Sequence, residues 1–165
     1  MKSNNYQVAG TFTVTTTGNI DNLDFENCAV IRMDNATLST IRGLKSGYPG
    51  QEVTIVSVGA GQVNLAHQDT NSTAANRLIN FATSGITPLA AGKGEATYQY
   101  DDTTDRWRLV AHDQGALIDV AYDSANFINS GGTWTVDSGD QLTFAYYLDG
   151  NRLTVCLVLI TTSVV

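Results

Sequence analysis

The residues best equipped for chemistry lie close together in YQYDDTTDRWRLVAHDQG, residues 98–115. Asp101, Asp102 and Asp105 stand there beside Arg106, Trp107, Arg108 and His112. Two carboxylates that share acid and base work must face one reacting bond. Asp101 and Asp102 are adjacent, so in a strand they point to opposite sides. Asp105 on an exposed turn lacks the desolvation that raises a carboxyl pKa. The three aspartates could also offer oxygens to calcium, but they lack the regular spacing of a calcium-binding helix–loop–helix. Strand pairing explains the stretch better. Centring the bend on Thr103-Thr104 sets Tyr100 opposite Trp107, Tyr98 opposite Leu109, Gln99 opposite Arg108 and Glu95 opposite His112. Asp102 facing Asp105 in a tight turn would be repulsive, so a four-residue loop, DTTD, is expected, with Asp and Thr bonding back to the local backbone. The reading is a hairpin tip, with no catalytic residue and no metal.

The other reactive-looking residues lead to the same conclusion. His67 and His112 each precede an aspartate within two residues, yet no G-x-S-x-G elbow supplies a nucleophile. GAG (59–61) and GKG (92–94) are too short for a phosphate-binding fingerprint and precede strands. Cys28 and Cys156, with two distant histidines, do not make a zinc set, and they read as buried thiols. Trp107 and Trp134 sit at alternating strand positions, with core or interface as the first reading and a sugar-stacking platform as the second.

The elements that position these residues are strands. Threonine and other β-branched residues are abundant, and turn formers punctuate the chain, so the fold class is all-β. Strands are expected at 7–17, 28–33, 36–44, 52–58, 62–67 and on both sides of the DTTD loop. GAG is expected to close a hairpin between two of them. QDTNSTAANR (68–77) reads as a loop able to hold one helical turn. Near the end, QLTFAYYLDGNRLTVCLVL alternates on both sides of Asp149-Gly150, the strongest short hairpin signal in the chain. That register gathers Leu142, Phe144, Tyr146, Leu153, Val155 and Leu157 on one face, and a one-residue slip would mix the faces. The final LITTSVV has neither charge nor proline to blunt an edge, so the expectation is either that another subunit covers it or that the chain stops before its domain does. The expected architecture is antiparallel sheets, β-sandwich or β-prism-like, completed by oligomerisation. Its divisions are an N-terminal strand and loop (1–30), a β module (31–115) and a C-terminal hairpin module (116–165).

Composition narrows the partners. A net charge of −7, with nine scattered basic residues, lacks the basic face of a nucleic-acid binder. No apolar run approaches the roughly 20 residues of a membrane helix, and MKSNNYQVAGTF lacks the apolar stretch of a signal peptide. Neither membrane insertion nor a cofactor is expected.

Two segments carry a resemblance. IRMDNATLSTIRGLKSGYPGQEVTIVSVGAGQVNLAHQDTNSTAANRLIN with PLAAGKGEATYQYDDTTDRWRLV resembles a β-rich module of tailed-bacteriophage tail-fibre and virion-associated proteins. The shared pattern is I-x-G-L, G-x-x-G-Q, a strand pair, N-R and Y…R-W, met here by Ile41, Gly43, Gly47, Gly50, Gln51, Asn76, Arg77, Tyr100, Arg106 and Trp107. NFINSGGTWTVDSGDQLTFAYYLDGNRLTV is similar to a C-terminal module of the same proteins, through Gly132, Trp134, Val136 and Gly150. That module usually continues past the TTSVV position, so the chain resembles a shortened version. The resemblance implies a virion structural protein made in the bacterial cytoplasm, non-enzymatic, homo-oligomeric and most often trimeric. Its other partners would be virion proteins and host-surface glycan. Asn71, Asp101, Asp102, Asp105 and Trp107 are the candidates for glycan contact. Gly43, Gly50, Tyr100, Trp134, Asp149 and Gly150 are candidates for turn and core roles. The alternatives are a free-standing lectin-like module and a capsid-decorating protein.

Overall fold

The computed structural model describes residues 8–45, 47–82, 85–126, 134–149, 152–160 and 163–164. The chain is all-β. Its described residues fall into two compact units, one within Met1–Ala116 and Asp149–Asn151, the other within Leu117–Leu148 and Arg152–Val165.

The first unit is a parallel coil closed by antiparallel strands. Its strands are β1 (Val8–Val14), β2 (Gly18–Ile20), β3 (Cys28–Met33), β4 (Ser39–Ile41), β5 (Glu52–Ser57), β6 (Val63–Ala66), β7 (Leu78–Ile79), β8 (Ile86–Leu89), β9 (Glu95–Asp101) and β10 (Arg106–Asp113). One sheet runs β1-β3-β5-β9-β10, with β7 also on β10, and the other runs β2-β4-β6-β8. β1, β3 and β5 are parallel, as are β2, β4 and β6. From β1 to β6 the chain therefore alternates between sheets, β3 returning beside β1 and β5 beside β3 after each passage through the other sheet. Val14 lies beside Met33 and Met33 beside Ser57, while Ile20, Ile41 and Leu65 make the matching row opposite. Antiparallel β9 then closes the first sheet and β8 the second.

The expected all-antiparallel arrangement is thus corrected. The physical reason lies in the corners. GAG does not close a hairpin, because β5 and β6 belong to different sheets. A Cβ on Gly59 would stand 2.3 Å from the Asn35 carbonyl oxygen, and one on Gly61 would stand 2.1 Å from that of Thr37. The glycines let one coil's corner lie directly on the previous one. Asn35, fully buried, holds the stack by donating from Nδ2 to the carbonyls of Thr37 (2.7 Å) and Gln62 (3.2 Å). A side chain bonding across two turns of chain replaces the hairpin bonds that the glycine loop had suggested.

Alternation fills the space between the sheets. Ile31, Met33, Val53, Ile55, Tyr98 and Leu109 point inward from one sheet, and Ile20, Ile41, Val63, Leu65 and Leu89 join the same core from the other. Asn80 supplies its polar centre. Asn80 Nδ2 donates to the Leu65 carbonyl at 2.8 Å, its Oδ1 accepts from the Tyr98 hydroxyl at 2.6 Å, and its backbone N–H donates to His67 Nδ1 at 3.0 Å. Burial pushes the Tyr98 hydroxyl pKa upward, so it remains a donor.

The second unit contains β11 (Ile118–Asp119), β12 (Trp134–Thr135), all but the last residue of β13 (Gln141–Asp149), β14 (Arg152–Leu159) and β15 (Ser163–Val164). β13 pairs with β14 and, antiparallel, with β11, while β12 pairs antiparallel with β15. Gly150 and the centre of the Asp149-Gly150 turn lie outside the described residues, as does Gly132. Trp134 lies in β12, and Asp149 is exposed at the end of β13. Among the described residues no helix is long and apolar enough to cross a membrane.

Candidate functional site

Tyr100, Phe25, Gly47 and the Lys45 carbonyl converge on Trp107. Its ring is fully buried, edge-on to Tyr100 at 5.2 Å and to Phe25 at 5.7 Å, and its Nε1 donates to the Lys45 carbonyl at 3.1 Å. Gly47 lies against this ring, where a Cβ would come within 2.9 Å of it and 2.7 Å of Gln51 Oε1. Gly43 is packed as closely, with Ser72 Oγ 2.6 Å and the Asn76 carbonyl 2.7 Å from where its Cβ would be. Gly50 takes a left-handed φ of 74°, and its amide donates to the Tyr100 carbonyl. These contacts make a packing knot that anchors loops. Trp107 as a sugar-stacking candidate is therefore corrected: cross-strand pairing with Tyr100 turns its ring into the core, as its alternation with Arg106 and Arg108 requires.

On the outside of this knot three loops form one polar shelf. Asn22, with φ of 49°, is its hinge. Its Oδ1 accepts from the Thr73 amide (2.8 Å), the Thr73 hydroxyl (2.6 Å) and Asn76 Nδ2 (2.7 Å), and its own amide donates to Ser72 Oγ at 3.1 Å. Arg42 lies between Asp21 (3.5 Å) and Asp69 (3.4 Å). Asp69 in turn accepts from the Asn71 amide and Asn71 Nδ2. Those bonds, with the Arg42 and Arg77 charges, hold its carboxyl below the usual range. The expected helical turn appears as a 3₁₀ turn at Ala74–Asn76. Arg106 joins this loop to the next by donating from Nε to Gln68 Oε1 at 3.2 Å.

The hairpin tip has the expected pairing Tyr100–Trp107, Tyr98–Leu109 and Gln99–Arg108, around a four-residue loop of residues 102–105. The Glu95–His112 pairing is replaced. A bulge between Leu109 and Ala111 shifts the register, so Glu95 meets Asp113 and His112 meets Ala96. Asp101 accepts from the Thr103 amide at 3.0 Å, the Thr104 hydroxyl at 2.8 Å and Arg108 Nε at 2.6 Å. The Arg108 bond leads in pulling its pKa down to about 2. Asp105, with φ of 51°, receives the Tyr100 hydroxyl at 3.4 Å. Asp101 is thus tied up within its own turn, while Asp102, Asp105 and Asn71 face outward.

A shallow cleft of about 130 Å³ opens beside the bulge, lined by Glu95, Thr97, His112 and Asp113 among others. His112 Nε2 is 3.0 Å from the Pro88 carbonyl, so the ring is oriented by backbone. Among the described residues no group of three His, Cys, Asp or Glu side chains is assembled to hold a metal ion. Cys28 and Cys156 are free thiols, each partly buried.

Sequence reasoning found the two loops but not their joining. Arg42, Arg77, Arg106 and Gln68 tie the shelf together. The only signal for it in the sequence is polar density at 68–77, since bridges between distant loops leave no local spacing. Compared with known proteins, the chain matches no family model and no curated sequence.

Proposed function

We propose that the chain is a non-enzymatic structural component of a bacteriophage virion, part of a tail fibre, spike or related surface assembly. Copies of the chain join through the C-terminal hairpin unit, as a trimer, beside other virion proteins. It is made in the host cytoplasm and works in the particle. One observation carries the assembly half of this reading. Leu142, Leu153, Val155 and Leu157 are 64 %, 59 %, 53 % and 47 % exposed. Leu153, Val155 and Leu157 alternate along β14, so they share one side of it. Covering a half-exposed aliphatic side chain stabilises by about 1 kcal/mol, scaled from the ~25 cal/mol per Å² of apolar burial. Several such side chains on one sheet make a face that sister copies would cover, completing a sandwich-like or prism-like packing. The motif resemblance supports the virion setting, and the polar shelf supports contact with host-surface glycan through hydrogen bonds.

A free-standing lectin-like module shares the shelf but has no need of the apolar face. Gold-labelled antibody against the chain, applied to phage particles purified from cells that make it, tests the main reading. Label on tails or fibres is expected, and label confined to the particle-free supernatant contradicts it.

A further inference from the structure

The basic residues of the first unit differ in how they are neutralised. Arg32 pairs with Asp34 at 2.7 Å, Arg42 with Asp21 and Asp69, Lys45 with Asp24 at 2.6 Å, and Arg108 with Asp101 at 2.6 Å. Arg77 and Arg106 have no carboxylate within 4.0 Å among the described residues. They are also neighbours. β7 and β10 run parallel with Leu78 beside Trp107, and the Trp107 amide donates to the Arg77 carbonyl at 3.1 Å. Arg77 and Arg106 therefore stand one step upstream in the same register, on strands about 4.8 Å apart. Leu78 and Trp107 are fully buried, so the two arginines emerge on the opposite, outer side.

Two like charges side by side repel, and this pair persists in a chain of net charge −7 with carboxylates nearby. The fold holds them with neutral acceptors. Arg77 Nε donates to the Ser72 carbonyl at 3.0 Å. Arg106 donates from Nη1 to the carbonyls of Thr104 (3.2 Å) and Asp105 (2.8 Å), and from Nε to Gln68 Oε1. Each guanidinium is positioned while keeping N–H donors for something else. Arg77, bonded only through Nε, keeps an Nη1/Nη2 fork that fits a carboxylate through two parallel bonds, while Arg106 keeps its Nη2 donors for a single further bond. The nearby acids are bonded elsewhere: Asp69 to Asn71 and Arg42, with the Arg77 charge acting on it only at longer range, and Asp105 to the Tyr100 hydroxyl. They remain able to accept hydroxyl donors.

We propose that Arg77 and Arg106 form a binding site for the carboxylate of an acidic sugar, whose neighbouring hydroxyls donate to the flanking Asp102 and Asp105. The site rests on the reading of the shelf as a host-glycan surface and names the class of glycan. Phosphate shares the anionic chemistry but lacks the adjoining ring of hydroxyls.

Isothermal titration of the full chain with an oligogalacturonide, a neutral maltooligosaccharide and inorganic phosphate separates these cases. Saturable binding of the acidic sugar is expected, weakening with added salt and at least tenfold weaker in Arg77→Gln/Arg106→Gln. Arg152→Gln, an exposed arginine of the other unit, should bind as the wild type does. Circular dichroism melting checks folding. Should the double variant not fold, Arg106→Gln alone and the salt dependence of the wild type decide the matter in its place. Equal affinity for the neutral sugar, an unchanged affinity in the folded variants, or no saturable binding of the acidic sugar overturns the site. Phosphate binding as tightly as the acidic sugar overturns the sugar assignment. Sedimentation of the same samples keeps the two ideas apart: a wild-type chain that fails to bind the acidic sugar while its oligomer is intact refutes only this site, whereas a wild-type monomer refutes the assembly.

Discussion

The two units bury their apolar side chains to different extents, although Leu38, Val58, Phe81, Ile86 and Val110 of the first are exposed too. In the first, Ile31, Met33, Ile41, Ile55, Leu65, Leu78, Leu89 and Trp107 are all fully buried, and the sheets share one core. In the second, the buried hydrophobic residues among those described are Val136 and Ala145, while Leu117, Leu142, Leu153, Val155, Leu157, Val158 and Ile160 are exposed. A similar density of aliphatics therefore gives a closed module in one place and an open face in the other. Strand passage between two sheets makes the difference. A coil returns to cover itself, whereas a hairpin with short flanking strands has only one side to offer to its own chain. The first unit encloses a core of its own, and the second leaves aliphatic side chains exposed among the described residues.

Substitutions break this contrast in graded steps. Trp107→Ala should cost the first unit about 3–5 kcal/mol in chemical denaturation, as a large buried aromatic deletion does. It removes the ring against which Gly47, Tyr100 and Phe25 pack. A loss below about 1 kcal/mol would mean that the knot is not the anchor described. Asn80→Ala comes next, at about 1–3 kcal/mol, because it strands the buried Tyr98 hydroxyl and the Leu65 carbonyl. In the second unit Val155→Lys should alter the stability of the isolated chain by no more than about 0.5 kcal/mol, as exposed positions do. The same change should abolish self-association, which light scattering reads directly.

The smallest effect concerns the hairpin tip. Asp101 has a folded pKa of about 2, below its ordinary 3.8. A lowered carboxyl pKa contributes stability that is present above the unfolded value and lost as pH falls through the folded one. Wild type should therefore melt slightly above Asp101→Asn at pH 5, with the gap closing between about pH 4 and pH 2. A gap that widens on acidification would reverse the assigned role of Arg108.

The sequence displayed the strands more clearly than their partners. CAVIRM, EVTIVS and the segments around DTTD announced themselves by alternation, and the Tyr100–Trp107 register followed from turn chemistry. Parallel pairing left no such mark. The residues joined across coils are separated by corners of different length, 19 residues from Val14 to Met33 and 24 from Met33 to Ser57, so no fixed repeat was visible. GAG resembled a hairpin loop because glycine serves a tight turn and a close corner equally well. The Val110 bulge moved Glu95 opposite Asp113, a shift that counting from the turn does not foresee. Of the shelf, Asn71 and the three aspartates were legible as polar loop residues. Their fastening through Asn22, Arg42 and Arg106 depends on contacts between loops distant in sequence.

The central claim is that copies of the chain cover the apolar face of the second unit. Sedimentation velocity across a wide concentration range tests it most directly. The account predicts a stable species at three times the 17.7 kDa chain mass, reverting to single chains when Val155 becomes lysine. A wild-type chain that sediments as a monomer at every concentration, with Leu142, Leu153, Val155 and Leu157 open to solvent, contradicts it.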